Sequence, residues 1–470
     1  MSASEAHDFD VVVIGGGPGG YVAAIRASQL GLRAAVVERE HLGGICLNWG
    51  CIPTKALLRV SEIHRLVQDV GRFGLSVEGV RFDLSRVVAH SRKVARRLNA
   101  GIRHLLKKNG VAVFEGHGRL AGSGRVEVES EKESGRILHA PHVILATGAR
   151  ARTLPGLDPD GERIWTYKEA MVPDSLPESL LIVGSGAIGI EFASFYRGLG
   201  SQVTVVEVLP RILPVEDEEI SKLARRAFER QGIEIHTGAT VRSLAREGSR
   251  VDATLELEGG QTKTLGVDRV ILAVGITGNV EGLGLEGTGV RVEGGHVVVN
   301  EWLETGEPGI CAIGDLAGPP WLAHKASHEG IICVEHLAGL PDVHPVDVTK
   351  IPGCTYSTPQ VASVGFTEAA ARERGFDVRV GRFPFQANGK AIALGESEGL
   401  VKTVFDARTG ELLGAHLIGA EVTELIHGYV LARTLEATEA ELIQTVYPHP
   451  TLSETLHESV LAAFGRAIHI

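Results

Sequence analysis

The chain has 470 residues, of which 44% are hydrophobic and 22% charged, an ordinary balance for a globular protein of about three domains. This composition excludes a disordered chain, a collagen-like fibre and a coiled coil. The formal net charge of −11 argues against a nucleic-acid binder, and the longest uncharged stretch is too short to span a bilayer. Glu5, Asp8 and Asp10 precede the first apolar run, so we expect no secretory signal and a cytoplasmic location.

The first predicted unit begins with a buried parallel strand over residues 11–14. It continues with three glycines in the pattern G-x-G-x-x-G, namely Gly15, Gly17 and Gly20. A helical segment and a second strand follow, and that strand ends in Glu38. Such glycines allow a tight turn and close approach to a pyrophosphate, which the helix N-terminus favours, while the acid is placed to bind a ribose hydroxyl. The pattern predicts dinucleotide binding, and the alternative is a tight turn without a ligand.

Two cysteines, Cys46 and Cys51, lie directly after this unit, with four residues between them. The glycines around them and Pro53 predict a tight turn, with a helix from about Thr54 onward. A cysteine just before a helix has its thiolate stabilised by the helix dipole. A second cysteine within reach allows the pair to alternate between dithiol and disulfide.

Three other interpretations of the cysteines compete with redox chemistry. A zinc site needs further ligands at metal spacing, whereas Cys311, Cys333 and Cys354 are scattered singly and are expected to be small core residues. A structural disulfide is unusual in a cytosolic chain, and two unrelated buried cysteines would not need a glycine-rich loop. We therefore favour a redox pair. Lys55 lies one helical turn after Cys51, where it either holds a cofactor or is solvated.

The strand–glycine–helix–strand pattern recurs later in the chain. Gly184, Gly186 and Gly189 repeat the turn, and the second strand ends in Glu207, at the same 23-residue spacing from first glycine to acid. Two such units predict two dinucleotides, or one dinucleotide and a degenerate copy. An acid at this position suits the free 2′-hydroxyl of NAD and would repel the 2′-phosphate of NADP, although Arg211 is close enough to weaken that inference.

Three later segments are predicted strands that end in glycine turns. Residues 143–149 and 270–276 each close one of the two units, and residues 311–318 form a further strand end with Asp315 in its turn. Asp315 is either a polar turn residue or part of a site. We expect the last segment to return to the sheet of the first unit.

A histidine near the C-terminus is flanked by two prolines. Pro448 and Pro450 hold the backbone of His449 extended and stiff, and Glu454 follows five residues later. Glu454 could orient and charge the imidazole as an acid–base dyad. The alternative is that Thr451 and Glu454 form a helix capping box.

Several segments together resemble the flavin-dependent pyridine nucleotide-disulfide oxidoreductases. They are GGICLNWGCIPTK, the doubled G-x-G-x-x-G, AIGDLAG, LAHKASHEG and HPTLSE, and the resemblance runs from about residue 8 to residue 465. The cysteine motif is highly specific to this family. HPTLSE and Glu207 are typical of the branch that acts on lipoamide rather than on glutathione.

The resemblance implies an α/β fold with two Rossmann-like dinucleotide-binding domains, for FAD and NAD, and a C-terminal α+β dimer-interface domain. The expected domains are an FAD-binding domain with the redox cysteines over residues 1–150, an NAD-binding domain over 151–278, a central segment returning to the FAD domain over 279–349, and an interface domain over 350–470.

The resemblance also implies which residues surround each cofactor. Those expected around FAD are Gly15, Gly17, Gly20, Glu38, Lys55, Thr147, Gly148, Asp315 and Ala323. Those expected around NAD are Gly184, Gly186, Gly189, Glu207 and Gly275. No metal site is expected.

For the reaction, the resemblance implies that Cys51 faces the flavin and that Cys46 exchanges with the substrate. His449 and Glu454 would be an acid–base dyad that reaches the cysteines of the partner subunit in an obligate homodimer. Glu191 would pair with Lys55 near the flavin, or else be an acid that stabilises the first turn of its helix.

The implied activity is oxidation of protein-bound dihydrolipoamide with reduction of NAD, in a 2-oxo acid dehydrogenase or glycine-cleavage complex. The expected partner is a lipoyl-bearing acyltransferase or glycine-cleavage carrier protein, with no nucleic acid or membrane partner. One alternative is a reductase of glutathione-like disulfides, which would place basic residues after the second strand, where Glu207 and Val208 stand. The other is a catalytically silent scaffold subunit, against which the intact Cys46 and Cys51 argue.

Overall fold

The structure, a computed structural model, describes residues 8–130 and 135–470, so Glu5 lies outside the described residues. The chain divides into two compact units. The first unit comprises Met1–Ala56, Val88–Arg152 and Gly275–Val346. The second comprises Leu57–Val87, Thr153–Val274 and Asp347–Ile470.

Strands occur throughout both units. In chain order they are β1 (Val11–Ile14), β2 (Ala34–Glu38), β3 (Ala112–Glu115), β4 (His117–Leu120), β5 (Arg125–Glu129), β6 (Arg136–His139), β7 (His142–Leu145), β8 (Ala149–Ala151), β9 (Ile164–Trp165), β10 (Ser179–Val183), β11 (Gln202–Glu207), β12 (Ile233–Thr237), β13 (Thr240–Glu247), β14 (Arg250–Glu256), β15 (Thr262–Val267), β16 (Arg269–Leu272), β17 (Ile276–Gly278), β18 (Val292–Glu293), β19 (His296–Val297), β20 (Ile310–Ala312), β21 (Gly353–Thr355), β22 (Gln360–Gly365), β23 (Val378–Pro384), β24 (Leu400–Asp406) and β25 (Leu412–Gly419).

Helices connect and cover these strands. In chain order they are α1 (Pro18–Gln29), α2 (Gly44–Trp49), α3 (Cys51–Gln68), α4 (Leu84–Lys108), α5 (Tyr167–Ala170), α6 (Ala187–Leu199), α7 (Glu218–Arg230), α8 (Ala323–Leu337), α9 (Glu368–Glu373), α10 (Gly389–Leu394), α11 (Val422–Leu425), α12 (His427–Thr434), α13 (Glu439–Gln444) and α14 (Glu454–Ala463). Short 3-10 helices span Val70–Phe73, Gly314–Ala317, Val348–Lys350 and Phe385–Ala387.

The first unit is built on a parallel five-stranded sheet of order β20-β7-β1-β2-β3. Strand β1 is buried along its whole length because both faces of the sheet are covered. Val11 and Val13 pack with the alanines of α1 on one face. Val12 and Ile14 pack on the other face with the antiparallel sheet β4-β5-β6. The segment that contains β20 thus pairs with β7, which precedes it by more than 150 residues.

The second unit contains a parallel sheet of the same construction, with order β12-β11-β10-β16-β9. Leu180 and Ile182 of β10 pack with Phe192 of α6 on one face. Leu181 and Val183 pack on the other face with the antiparallel sheet β13-β14-β15. In both units, successive side chains of the central strand therefore point alternately to a layer of helices and to an antiparallel sheet.

The C-terminal part of the second unit is an antiparallel sheet of order β21-β22-β25-β24-β23. Its core includes Tyr429 of α12 and Leu456 and Val460 of α14. The Tyr429 hydroxyl donates to the Leu456 carbonyl at 2.8 Å, which ties the two helices together. Helix α14 is thereby fixed on a sheet, and its first residue is Glu454.

Several local expectations differ from the structure. The predicted tight turn around the cysteines is in fact a six-residue helix, α2, bounded by Gly43 in the left-handed region and by Gly50. The expected strand over residues 143–149 ends at Leu145, and the one over 270–276 ends at Leu272. The residues beyond them begin β8 and β17, which form a separate antiparallel pair. Within the described residues, no helix combines the length and apolar character needed to cross a bilayer.

Candidate functional site

The first G-x-G-x-x-G pattern (Gly15, Gly17 and Gly20) is called the first fingerprint. The backbone leaves no room for a side chain at two of its glycines, but it does at the middle one. A Cβ on Gly15, whose φ is +108°, would collide with the Ala146 carbonyl, and a Cβ on Gly20 would collide with the Gly15 carbonyl. A Cβ on Gly17 would meet only the Gly44 Cα, at 3.9 Å. The middle glycine therefore leaves open space at the N-terminus of α1, where the free N–H groups attract an anion.

The second fingerprint repeats this arrangement in the other unit. A Cβ on Gly184 would collide with the Ala273 carbonyl, and one on Gly189 would collide with the Gly184 carbonyl. A Cβ on Gly186 would meet no atom within 4 Å. Both copies thus fit a pyrophosphate that approaches the backbone at the middle glycine, as a bound dinucleotide would.

The acid of the first copy is held by the backbone of the turns beside it. The Gly16 N–H donates to Oε2 of Glu38 at 2.7 Å, and the Glu40 N–H donates to Oε1 at 2.8 Å. The carboxylate therefore has a fixed direction and still has acceptor positions left for a ribose hydroxyl.

The acid of the second copy is more fully engaged. Oε2 of Glu207 accepts from both the N–H and the hydroxyl of Ser185, at 2.9 and 2.7 Å, and Oε1 accepts from the Leu209 N–H at 2.9 Å. Three of about four acceptor positions of the carboxylate are thus used by the protein. The Arg211 guanidinium donates to the Pro214 carbonyl.

A cavity of about 250 Å³ lies in the first unit beside the first fingerprint. Its lining includes three of the residues predicted to surround FAD, namely Gly15, Glu38 and Thr147. The other six residues predicted around FAD do not line this cavity: Gly17, Gly20, Lys55, Gly148, Asp315 and Ala323. Its position at the end of β1 and β2 is where a parallel sheet of this type binds a nucleotide.

The cavity also contains residues that the sequence did not indicate. Arg150 forms a two-point ion pair with Glu281 at 2.7 and 2.9 Å. The Asn279 side chain donates to the Thr147 carbonyl at 2.9 Å, and the Thr147 hydroxyl donates to the Asn279 carbonyl at 2.9 Å. The only sequence signal was that Arg150 and Asn279 follow the two predicted glycine turns.

The cysteines occupy two successive helices of the first unit. Cys46 lies inside α2, and Cys51 is the first residue of the 18-residue helix α3. A hydrogen bond with Cys51 is the largest cause that raises the pKa of the Cys46 thiol, followed by burial and the negative charge of Cys51. The nearby Lys55 acts in the opposite direction, and Asp315 adds to the rise. Cys51 lies at the N-terminus of α3, where the helix dipole favours a thiolate.

Asp315 is held by a buried ion pair that the sequence analysis missed. The Lys325 ammonium lies 2.7 Å from Oε1 of Glu329, with both side chains buried on α8. Oε2 of Glu329 accepts from the Gly314 N–H at 2.7 Å, and Lys325 donates to the Gly318 carbonyl at 3.1 Å. The pair therefore clamps both ends of the 3-10 turn that carries Asp315, whose pKa is raised by burial. The i,i+4 spacing was the available signal.

The remaining predicted residues have simpler surroundings. Ala323 is the first residue of α8, so its N–H has no partner within the helix. Gly148 and Gly275 have φ values of +69° and +103°, which a side chain disfavours. Glu191 is the fifth residue of α6, and its Oε1 accepts from the Tyr356 N–H at 3.0 Å, so the alternative role in the first helical turn is wrong.

His449 and Glu454 are in direct contact in the second unit. Nδ1 of His449 lies 2.9 Å from Oε1 of Glu454, and the histidine side chain is 78% exposed. Although desolvation acts to raise it, the pKa of Glu454 is lowered by hydrogen bonds from the Thr451 N–H and from His449. An ionised Glu454 fixes the proton on Nδ1 and leaves Nε2 as an outward-facing base.

The capping-box alternative is only half formed. Oε2 of Glu454 accepts from the Thr451 N–H at 2.9 Å, but the Thr451 hydroxyl donates to the Pro448 carbonyl at 2.7 Å. Helix α14 begins at Glu454 itself, after Ser453. The carboxylate therefore serves both the chain turn and the histidine.

Comparison with known families agrees with this geometry. The pyridine nucleotide-disulphide oxidoreductase family matches residues 9–330, and the dimerisation domain of the same family matches residues 351–460. The chain belongs to this family. It is an oxidoreductase of the flavin- and pyridine-nucleotide-dependent disulfide class, which confirms the family and the enzyme class expected from the motifs.

Proteins of similar sequence match this chain over nearly its whole length and theirs. A dihydrolipoyl dehydrogenase of Rhizobium etli is 56% identical, over 99% of this chain and 100% of its own length. One of Zymomonas mobilis is 53% identical over the same shares, and one of Bacillus subtilis is 47% identical over 99% and 100%.

Among solved structures, LpdA from Mycobacterium tuberculosis superposes with a TM-score of 0.90 at 29% identity, covering 96% of this chain and 99% of that chain. The HOCl-induced flavoprotein disulfide reductase RclA from Escherichia coli gives a TM-score of 0.85 at 26% identity, with the same coverage. The predicted α/β fold with a C-terminal dimerisation domain is confirmed.

Proposed function

We propose that this enzyme oxidises protein-bound dihydrolipoyl groups to lipoyl groups and reduces NAD⁺ to NADH. The observation that carries the proposal is the pair Cys46 and Cys51, with Cys51 at the N-terminus of α3. Full-length similarity to chains named dihydrolipoyl dehydrogenase supports this choice of substrate. The His449–Glu454 contact supplies the base that thiol chemistry requires.

We assign the cofactors by the two fingerprints. Residues 1–150 form the proposed FAD-binding domain and 151–278 the proposed NAD-binding domain, with 279–349 returning to the former and 350–470 serving as the interface. The open middle glycines and the held acids Glu38 and Glu207 fit two dinucleotides. The proposed FAD residues are Gly15, Gly17, Gly20, Glu38, Lys55, Thr147, Gly148, Asp315 and Ala323. The proposed NAD residues are Gly184, Gly186, Gly189, Glu207 and Gly275.

The substrate half of the reaction is thiol–disulfide exchange. Nε2 of His449 takes the proton of one substrate thiol, and the resulting thiolate attacks the Cys46 sulfur of the Cys46–Cys51 disulfide. Cys51 leaves as a thiolate, which the N-terminus of α3 stabilises. The second substrate thiol loses its proton to solvent, and its thiolate closes the lipoyl ring and expels Cys46, which takes up the proton from His449. One disulfide is broken and one is formed, so the electron pair now lies in the enzyme dithiol.

The chemistry that FAD would supply when bound is acceptance of this electron pair and its transfer to NAD⁺ as a hydride. The protein's part is to hold the pair in place and to tune its protons. Lys55 lowers and Asp315 raises the pKa of Cys46, so both charges bear on the order in which the thiols ionise. Lys55 and Glu191 are proposed to complete the surroundings of the flavin.

We propose that the working enzyme is a homodimer in which His449 and Glu454 serve the cysteines of the partner subunit. The dimerisation-domain match and the exposure of His449 support this arrangement. Apolar side chains of the same segment are also exposed, among them Leu435 and Val446 at 70% and 91%. The proposed protein partner is a lipoyl-bearing acyltransferase or glycine-cleavage carrier protein, and the cytoplasmic location stays a prediction.

The direct test is NADH formation by the purified flavin-loaded enzyme from dihydrolipoamide and NAD⁺, with NADP⁺ in a parallel reaction. We expect turnover with NAD⁺ and little with NADP⁺, because a 2′-phosphate would meet the Glu207 carboxylate. Absence of turnover with flavin bound would contradict the proposal. Reduction of glutathione disulfide by NADPH would then identify the alternative class.

A matched pair of variants tests the cysteine assignment. Cys46→Ser is expected to abolish dihydrolipoamide oxidation, whereas Cys354→Ser, a half-buried cysteine on β21, is expected to retain it. Equal loss in both variants would contradict a specific role for Cys46.

A further inference from the structure

Helix α4 has a charge distribution opposite to that of the chain as a whole. Residues 84–114 contain eight Arg and Lys residues and no Asp or Glu, in a chain whose net charge is −11. The rest of the chain is therefore even more acidic than the whole. This segment is therefore strongly positive within a chain that is otherwise acidic.

The positive side chains of α4 lie opposite its buried side. Ala95, Ile102 and Leu106 are buried in the first unit. On the other side of the helix are the exposed residues that we call the basic face: Lys93, Arg96, Arg97, Arg103, Lys107 and Lys108. Arg103 pairs with Glu115 at 3.5 Å. Within residues 8–130 and 135–470, the other five have no carboxylate within ion-pair distance. Like charges one turn apart disfavour an isolated helix.

The first half of α4, from which the basic face extends, packs against the segment that contains Cys46. The Arg92 guanidinium stacks on the Trp49 ring at 4.4 Å and donates to the Asn48 carbonyl. The Asn99 side chain donates to the Leu42 carbonyl at 2.6 Å. These contacts fix the first half of α4 against α2, the helix that contains Cys46. From Arg92 to Lys108 the helix then extends for about 24 Å at 1.5 Å per residue.

We propose that the basic face is a docking surface for the acidic surface of the protein domain that delivers the dihydrolipoyl group. The inference rests on the proposed function. The dihydrolipoyl group itself carries no charge, so a row of cations on the helix that packs against α2 acts on whatever protein carries that group. Because the rest of the chain repels acidic partners, attraction to α4 would both speed encounter and orient the partner toward Cys46.

The test uses two synthetic peptides that each carry one dihydrolipoyl-lysine, flanked by Glu residues in one and by Gln residues in the other, together with free dihydrolipoamide. The variant is Lys93→Gln/Arg96→Gln/Arg97→Gln in the flavin-loaded enzyme. The matched control, Arg242→Gln/Arg246→Gln/Arg250→Gln on β13 and β14, removes the same charge from a different element.

We expect kcat/KM for the Glu peptide to fall about tenfold in the α4 variant, the lower end of typical electrostatic steering effects. The Gln peptide and free dihydrolipoamide should be unaffected, and the control should match wild type. The difference should vanish at about 1 M salt, where the screening length is ~3 Å.

Unchanged kinetics of the α4 variant with the Glu peptide would overturn the proposal, as would an equal loss in the control variant. A third contrary result would be that the α4 substitutions weaken only the binding of a DNA oligonucleotide, which would assign the basic face to nucleic acid. Failure of the wild type to oxidise free dihydrolipoamide would instead refute the proposed function. Fluorescence anisotropy of a labelled, oxidised lipoyl-Glu peptide would then still decide whether α4 binds an acidic partner.

Discussion

The carboxylate of Glu454 serves two N–H groups at once, and Glu454→Gln separates its electrostatic role from its shape. Oε1 faces Nδ1 of His449 and Oε2 accepts from the Thr451 N–H, each at 2.9 Å. An ionised carboxylate accepts from both, whereas a glutamine amide has one accepting oxygen and one donating NH₂ group. Glutamine can therefore satisfy only one of the two donors.

The fixed backbone N–H of Thr451 should retain the glutamine oxygen, so the NH₂ group faces His449. It then donates to Nδ1 and holds the imidazole proton on Nε2, the nitrogen that must accept the substrate proton. A carboxylate-to-amide change with this tautomeric consequence costs about 10⁴-fold in Ser-His-Asp hydrolases. Because the His449 side chain is 78% exposed and its ring can turn, we expect a loss of about 10²-fold to 10³-fold in kcat.

The assay is NADH formation from dihydrolipoamide, compared with NADH-dependent reduction of a one-electron dye that bypasses the cysteines. Only the rate of NADH formation from dihydrolipoamide should fall. Glu441→Gln is the matched control, because Glu441 accepts from the Thr438 N–H at the start of α13 in the same way, without a histidine partner. Retention of more than half of kcat in Glu454→Gln, or an equal loss in Glu441→Gln, would refute the reasoning.

Three further predictions concern carboxylates that are buried or accept several hydrogen bonds. Ser185→Ala removes the hydroxyl that donates to Glu207, so KM for NAD⁺ should rise about fivefold with kcat unchanged, and an unchanged KM would contradict this role. Burial raises the pKa of Glu216 from 4.5 to about 7, so its contribution to stability falls as the pH rises from about 4.5 to 7, by about 3 kcal/mol in total. Glu216→Gln should therefore be more stable than wild type at pH 8 by about that amount in urea unfolding, and an equal pH dependence in both proteins would exclude this origin. Glu329→Gln leaves the Lys325 charge buried without its partner and should cost about 3–5 kcal/mol, measured as a lower temperature of flavin release, whereas Lys325→Met/Glu329→Gln should recover most of the loss.

The parts of the fold that the sequence predicts well are those with local causes. In both fingerprints the first and third glycines are required by contacts within a few residues or with the neighbouring strand end, and the flanking apolar runs are buried strands. The position of the acid follows from the fixed length of the helix between the strands. For these reasons the same 23-residue spacing describes both units.

The parts that the sequence could not predict depend on distant residues. Helix α2 forms where glycines predicted a turn, because Arg92 of α4 packs on Trp49 and the Asn99 side chain donates to the Leu42 carbonyl. The same holds for the cavity residues Arg150 and Asn279, which come together from segments more than 120 residues apart. No local pattern reports such pairings.

The strand order of the first unit also constrains how the chain folds as the ribosome makes it. Strand β20 pairs with β7, yet about 160 residues separate them, so at typical synthesis rates of ~5–20 residues per second β7 has an open edge for roughly 10–30 s. During this time residues 153–274 emerge, which contain the complete sheet with β10 at its centre. The turn that carries Asp315 appears only afterwards. A nascent first unit must therefore wait until the whole second parallel sheet has been synthesised before its own five-stranded sheet can be completed.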